Sequence, residues 1–164
     1  MRNAESTYLT FNGKLVFIYV NFTYTMNGEQ HGRASKVKIL IVEDQMPVAM
    51  MMTFLLARAG CETEVATTGA NAMQKAQDGN FDLITLDADL PGGISGFEVC
   101  RRLKENPFFQ TPIVFVSGRC CIEDQQHGLD VGAADYITKP FDTFEFAPRL
   151  LSHVERTGNV SISH

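Results

Sequence analysis

The residue in this chain best suited to chemistry is Asp87, a carboxylate that directly follows a short, mostly apolar run at 83–86. Such a run is typical of a strand buried on both faces of a parallel sheet. Loop-forming residues follow at 90–93. A carboxylate at a strand end beside a flexible loop is placed to act as a nucleophile or a metal ligand. A single strand-end Asp more often only caps a turn, so the interpretation depends on the rest of the chain.

Other polar residues share this position after apolar runs: Glu43, Asp44, Asp89 (two residues beyond Asp87), Ser117 and Lys139. If the strands are parallel, these side chains converge on one edge of the sheet. Several carboxylates around one point repel one another unless a cation lies between them. An ammonium group and Mg²⁺ are the natural candidates, because Mg²⁺ binds through one or two carboxylates with water and phosphate oxygens. Zn²⁺ would favour His or Cys ligands.

This set of residues is suited to phosphoryl transfer. The Asp87 carboxylate is already ionised, so it can attack phosphorus in line and form an aspartyl phosphate without a general base. A metal on Asp44 and Asp87 would offset the charge on the phosphoryl oxygens. Lys139 would pair with another oxygen, and the Ser117 hydroxyl would donate a hydrogen bond to a third.

Five strand patterns alternate with five helix patterns and would position these residues. The strands are predicted at 37–42, 62–66, 83–86, 113–116 and 136–137, and the helices at 47–59, 70–77, 97–104, 122–129 and 143–154. Pro148 should kink the last helix or move its start later. The alternation predicts an α/β fold with a doubly wound, five-stranded parallel sheet of order 2-1-3-4-5 and helices on both faces. Its ligands would bind at the switch point between the first and third strands.

Length and composition predict one globular domain, since the chain has 164 residues, 45% of them hydrophobic and 20% charged. We expect 37–156 to form this domain, with 1–36 an extension outside the core and 157–164 a short tail. A strand or hairpin arm is predicted at 14–25, which could add an edge strand or mediate oligomerisation.

Charge and cysteine usage exclude several classes of protein. The net charge is −5, and residues 1–36 carry four basic against two acidic side chains, so the remainder is acidic. An acidic body without a basic stripe argues against direct binding of nucleic acid. No run approaches the roughly 20 apolar residues of a membrane span. The four cysteines lack metal-ligand spacing and are interpreted as free thiols in a reducing cytoplasm.

Four segments, 39–44, 82–96, 113–118 and 132–141, resemble the receiver domain of two-component response regulators, and the resemblance extends over 37–156. It implies a flavodoxin-like fold and a stand-alone, chemotaxis-regulator-like protein, or a chain whose output portion is missing. It also implies that Asp87 accepts a phosphoryl group from a sensor histidine kinase or a histidine phosphotransfer protein. Such a domain catalyses only its own phosphorylation and slow dephosphorylation, and is not an enzyme in the ordinary sense.

The resemblance also implies roles for the neighbouring residues. Asp44, Asp87 and the backbone carbonyl of Asp89 would hold Mg²⁺, with Glu43 helping through water. Ser117 and Tyr136 would be the switch pair: the hydroxyl moves to the phosphate and the ring swings inward.

Phosphorylation would thereby remodel the fourth helix, fifth strand and fifth helix, where a downstream protein docks. A homodimer is also possible. The Lys139–Pro140 bond is cis in many members of the family, which would direct the ammonium group to the site.

Two alternatives remain open from the residues alone. Asp87 and Asp89 mimic the Asp-x-Asp signature of haloacid dehalogenase-type phosphatases, but Pro91 does not fit that signature and Glu43–Asp44 would be unexplained. The same fold could also serve as an interaction module that works without phosphorylation. Within the receiver interpretation, the loop 90–96 is one residue longer than usual. Asp89 and Gly118 stand at positions that tune the lifetime of the phosphoryl group.

Overall fold

The computed structural model describes residues 36–154 and two short strands, β1 (Tyr8–Phe11) and β2 (Lys14–Phe17). Contacts divide the chain into two units, residues 1–35 and 36–164. In the first unit, β1 and β2 pair antiparallel, with Tyr8 opposite Phe17. The strand predicted at 14–25 is present at 14–17, and the rest of that prediction lies outside the described residues, as does the tail 157–164.

The second unit contains five strands and five helices in strict alternation. The strands are β3 (Lys38–Val42), β4 (Glu62–Ala66), β5 (Leu83–Leu86), β6 (Ile113–Ser117) and β7 (Asp135–Thr138). The helices are α1 (Met46–Arg58), α2 (Gly69–Asp78), α3 (Gly96–Lys104), α4 (Ile122–Asp130) and α5 (Phe146–Val154). Among the described residues, no helix is long and apolar enough to cross a membrane.

The five strands are all parallel and lie in the order β4-β3-β5-β6-β7. Counted from β3 as the first strand, this is the predicted order 2-1-3-4-5, so the fold prediction is confirmed. Val42 is in register with Leu86, and Leu86 with Phe115. The residues that follow β3, β5 and β6 therefore emerge at the same edge of the sheet.

Each face of the sheet packs against helices because every strand alternates its side chains between two apolar layers. One layer joins Leu40, Ile84 and Phe115 to the buried faces of α2 and α3. The other joins Ile39 and Leu83 to α1 and α5. The central strands β5 and β6 are buried along their whole length, which explains why they read as apolar runs without alternation.

Several helices begin where the sequence supplies a cap or a proline; α1 has Pro47 in its first turn. The side-chain oxygens of Thr68 and Ser95 accept hydrogen bonds from the first turns of α2 and α3. α5 begins at Phe146 rather than at 143. This later start is one of the two effects expected from Pro148. The Asp142 carboxylate accepts the backbone N–H groups of Phe144 and Glu145 just before it.

Candidate active site

Three carboxylates meet where β3 and β5 end. Glu43 follows β3 directly and is only 1% exposed, and Asp87 follows β5 and is 4% exposed. Asp44 is exposed beside them. One oxygen from each of the three carboxylates lies within 4.8 Å of the other two. The backbone N–H of Asp87 donates to the carbonyl of Val42, which fixes the ends of the two strands side by side.

Lys139 supplies a positive charge inside this cluster. Its Nζ lies 2.7 Å from Asp87 Oδ2 and 2.5 Å from Glu43 Oε2. Burial alone would lower the pKa of Lys139, but its hydrogen bonds to both carboxylates raise the pKa above the ordinary value. Burial raises the pKa of Glu43, and the bond to Lys139 opposes that shift. The ammonium group is thus held charged between two carboxylates, and the Lys139–Pro140 peptide bond is cis.

The loop after Asp87 closes back against the strand end. The backbone N–H of Gly96 donates to the Ala88 carbonyl at 2.9 Å. A Cβ at Gly96 would lie 1.9 Å from the Asp87 carbonyl oxygen, so only glycine fits there. Gly92 and Gly93 have φ of +92° and +84°, a conformation that favours glycine.

The side chain of Asp89 forms an ion pair with Arg119, a residue that the sequence analysis did not single out. Arg119 Nη2 lies 2.7 Å from Asp89 Oδ1, and Arg119 Nε lies 2.9 Å from the same oxygen. This pairing holds the pKa of Asp89 below its ordinary value. The negative charge expected beside Asp87 is therefore already paired. The sequence does show an arginine two residues after Ser117. Its pairing with Asp89 could not be inferred from that position, because Arg119 and Asp89 are 30 residues apart in the sequence.

Arg119 also links the two predicted switch residues through its backbone. Ser117 is fully buried, and its Oγ accepts the backbone N–H of Arg119 at 3.3 Å. The Tyr136 hydroxyl donates to the Arg119 carbonyl at 3.0 Å. The Tyr136 ring is 6% exposed and stacks on Phe115 with 5.4 Å between ring centroids. Burial raises the pKa of the Tyr136 hydroxyl.

The four cysteines are free thiols, as predicted, and none belongs to the acidic cluster. Cys61 and Cys100 are buried, whereas Cys120 and Cys121 are exposed. Burial raises the pKa of the Cys100 thiol to about 11. The donor set around Asp87 consists of oxygen atoms alone, which fits a hard cation such as Mg²⁺ and not Zn²⁺.

Comparisons with known proteins agree with this geometry. The model of the response regulator receiver domain family matches residues 39–150. The chain is 38% identical over 123 residues to the transcriptional regulatory protein TcrA of Mycobacterium tuberculosis, an alignment that covers 75% of this chain and 48% of that protein. The chain therefore spans about half the length of the curated relatives it matches. It belongs to the response regulator receiver domain family.

Solved structures give the same result. The receiver domain of the Francisella response regulator 1452 is 28% identical, with a TM-score of 0.70, and the match covers 74% of this chain and 99% of that one. The chemotaxis protein CheY4 of Vibrio cholerae is 31% identical, with a TM-score of 0.67, over 72% of this chain and 98% of that one.

The chain is thus a receiver domain of two-component signalling with the acidic pocket typical of a phospho-Asp site, and it is not a conventional enzyme. Membership of this family rules out the alternative that the chain is a haloacid dehalogenase-type phosphatase. Glu43 and Asp44, which that alternative left unexplained, are part of the pocket that contains Asp87.

Proposed function

We propose that Asp87 is the phosphoacceptor of this domain and takes its phosphoryl group from a phosphohistidine, on a sensor histidine kinase or a histidine phosphotransfer protein. The observation that carries the proposal is the buried Asp87 carboxylate, held by Lys139 among two further acids. Lys139 binds Oδ2 at 2.7 Å, and the backbone N–H of Asp89 donates to Oδ1 at 3.2 Å. The carboxylate is thereby oriented before the donor arrives, which lowers the entropic cost of in-line attack.

Mg²⁺ fits beside Asp87. Glu43, Asp44, Asp87 and the backbone carbonyl of Asp89 would hold it, with Glu43 acting through water. When bound, Mg²⁺ supplies positive charge against the phosphoryl oxygens. Lys139 supplies a second positive charge, and the Ser117 hydroxyl supplies a hydrogen-bond donor to the phosphoryl group.

Ser117 and Tyr136 act as the switch pair, and the support for this is their shared partner. The backbone N–H of Arg119 bonds to Ser117, and its carbonyl accepts from Tyr136. A Ser117 hydroxyl that turns to the phosphoryl group releases the N–H of Arg119, whose carbonyl holds the Tyr136 ring in the inward position that the resemblance assigns to the phosphorylated state. Tyr136 lies in β7 and contacts α4, so the change reaches the α4–β7–α5 face. A downstream protein, or a second copy of the domain, docks there.

The donor protein docks over α1. Met46, Met50 and Phe54 recur every four residues on this helix and are 51%, 66% and 60% exposed. Such a stripe of apolar side chains on one helix face suits a protein partner. α1 begins two residues after Asp44, so a partner on this stripe lies beside the acidic cluster.

The whole protein acts in the cytoplasm and signals by docking of the α4–β7–α5 face. Its free cysteines agree with a reducing compartment. The boundaries proposed for the receiver domain are residues 37–156, with 1–36 as an extension and 157–164 as a tail.

Incubation with acetyl phosphate and Mg²⁺, followed by intact mass measurement, tests the proposal. One phosphoryl group should be added, and the addition should be lost in Asp87→Asn or when the metal is chelated. Asp78→Asn removes an exposed acid at the end of α2 and should be labelled like the wild type. Normal labelling of Asp87→Asn would show that the phosphoacceptor is another residue.

If a downstream partner binds Asp87→Asn as strongly as it binds the phosphorylated wild type, the domain works without phosphorylation.

A further inference from the structure

The Tyr136 ring packs against a glycine on α4. Gly128 is the buried residue of that helix. A Cβ built on Gly128 would lie 2.7 Å from Cδ2 and 3.1 Å from Cε2 of Tyr136, and 3.0 Å from Cδ2 of Phe115. Carbon atoms of separate side chains do not approach within 3.0 Å, so the ring takes the place where any other residue would carry its Cβ. We name this space the Gly128 notch.

The ring is also fixed on its other sides. Phe115 stacks against it with planes inclined by 26°. The hydroxyl donates to the Arg119 carbonyl at 3.0 Å. The notch, the stacked ring and the carbonyl together define one buried position for Tyr136.

Backbone geometry does not require glycine at this point. Gly60, Gly92, Gly93 and Gly132 have positive φ, and Gly128 does not. Glycine is also the weakest helix former after proline. What glycine contributes at 128 is the absence of a Cβ beneath the Tyr136 ring.

We propose that Gly128 is the positioning residue of the switch, because its notch admits the Tyr136 ring to the buried position in which the hydroxyl reaches Arg119. The proposal rests on the switch role proposed for Ser117 and Tyr136. According to this proposal, a single methyl group at position 128 displaces the Tyr136 ring from its buried position. Asp87 can then still be phosphorylated, but Tyr136 no longer responds.

The first test is ¹⁹F NMR of the full chain labelled with 3-fluorotyrosine, in which Tyr136→Phe identifies the Tyr136 signal. Gly128→Ala should move this signal to the position of a solvent-exposed tyrosine. Gln126→Ala, an exposed change on the same helix, should leave it in place. A Tyr136 signal unchanged in Gly128→Ala would overturn the proposal.

The second test is a double-mutant cycle read by thermal unfolding, which separates the contact from helix propensity. Without a clash, Gly128→Ala should raise Tm by roughly 2–4 °C, because alanine is the better helix former. The notch predicts that this gain is absent in the wild-type background and appears in the Tyr136→Ala background. A gain of equal size in both backgrounds would show that the methyl group fits beside the ring, and the proposal would fail.

The third test adds acetyl phosphate and Mg²⁺ to Gly128→Ala. Intact mass should show the phosphoryl group on the variant, while the ¹⁹F signal stays at the exposed position. A return of the signal to the buried position would show that the notch does not control the ring. Failure of the wild type to take up the label would count against the phosphoacceptor proposal instead, since the first two tests need no phosphoryl group.

Discussion

Arg119 and Asp89 form a two-point ion pair between the loop that follows β6 and the loop that follows β5. Arg119 Nη2 lies 2.7 Å from Asp89 Oδ1, and Arg119 Nε lies 3.1 Å from Asp89 Oδ2. Asp89 is two residues from Asp87, so the pair neutralises a carboxylate that an anionic phosphoryl donor would otherwise meet.

Arg119→Ala should slow labelling of Asp87 by acetyl phosphate, because the released Asp89 carboxylate repels the anionic donor. Exposed unit charges at close range interact by roughly 1 kcal/mol, which corresponds to about fivefold in rate. Initial labelling rates from intact mass give the measurement. Arg119→Lys keeps the charge and should lose less, and 1 M salt should reduce the difference. Equal rates for wild type and Arg119→Ala at low salt would contradict this prediction.

Asp44→Asn should weaken Mg²⁺ binding at least tenfold and stabilise the metal-free protein. Three carboxylates lie within 4.8 Å of one another, so removal of one charge relieves repulsion. We expect Tm in EDTA to rise by about 1–3 °C and the gain in Tm on addition of Mg²⁺ to shrink. Thermal melts across a Mg²⁺ titration measure both effects, with Asp78→Asn as the control. A Tm that falls in EDTA would mean that Asp44 stabilises the fold without metal.

Phe54→Ser should slow phosphoryl transfer from a phosphohistidine protein and leave labelling by acetyl phosphate unchanged. Phe54 is 60% exposed on α1, so its loss removes contact with a partner and little of the core. Phe108→Ser is the matched control, since Phe108 is 89% exposed in the loop that precedes β6, away from the carboxyl ends of the strands. If both small-molecule and protein donors slow equally, Phe54 acts on the site itself and not on docking.

The free energy of unfolding should decrease in acid because the Asp135 carboxylate becomes protonated. Burial raises the pKa of Asp135, but hydrogen bonds from Arg149, from the backbone N–H of Tyr136 and from His153 lower it below the ordinary value of 3.8. A carboxyl whose pKa is lower in the folded state stabilises fully above its unfolded pKa, and that contribution is lost as the pH falls through the folded pKa.

Denaturant unfolding between pH 6 and roughly pH 2 measures this effect. Asp135→Asn should be less stable at pH 6 and should lose less stability on acidification than the wild type. Asp78→Asn controls for the loss of one negative charge. Parallel curves for wild type and Asp135→Asn would assign the acid sensitivity to other groups.

The fold could be predicted because each strand of the sheet has a recognisable pattern of apolar residues in the sequence. β5 occupies the predicted residues 83–86, since a strand buried on both faces must be apolar throughout. Glu43, Asp87 and Lys139 could be grouped from sequence because parallel strands deliver their following residues to one edge. Of the two outcomes expected from Pro148, a kink or a later start of α5, the structure shows the later start.

Two contacts could not be predicted in this way. The pairing of Asp89 with Arg119 joins two loops whose separation in space depends on the loop conformations. The contact of Gly128 with Tyr136 depends on how α4 is rotated about its axis over β7. Both are properties of packing between elements, and strand and helix periodicity contain no information about them.

Two glycines form the tip of the loop that follows Asp87. The backbone N–H of Asp87 is held by Val42, and that of Gly96 is held by Ala88, so both ends of the segment are anchored. Gly92 and Gly93, with positive φ, lie between those anchors. An insertion or deletion at this tip would change the outline that an approaching protein meets without shifting the Asp87 carboxylate, so partner choice can diverge here while the acidic cluster stays constant.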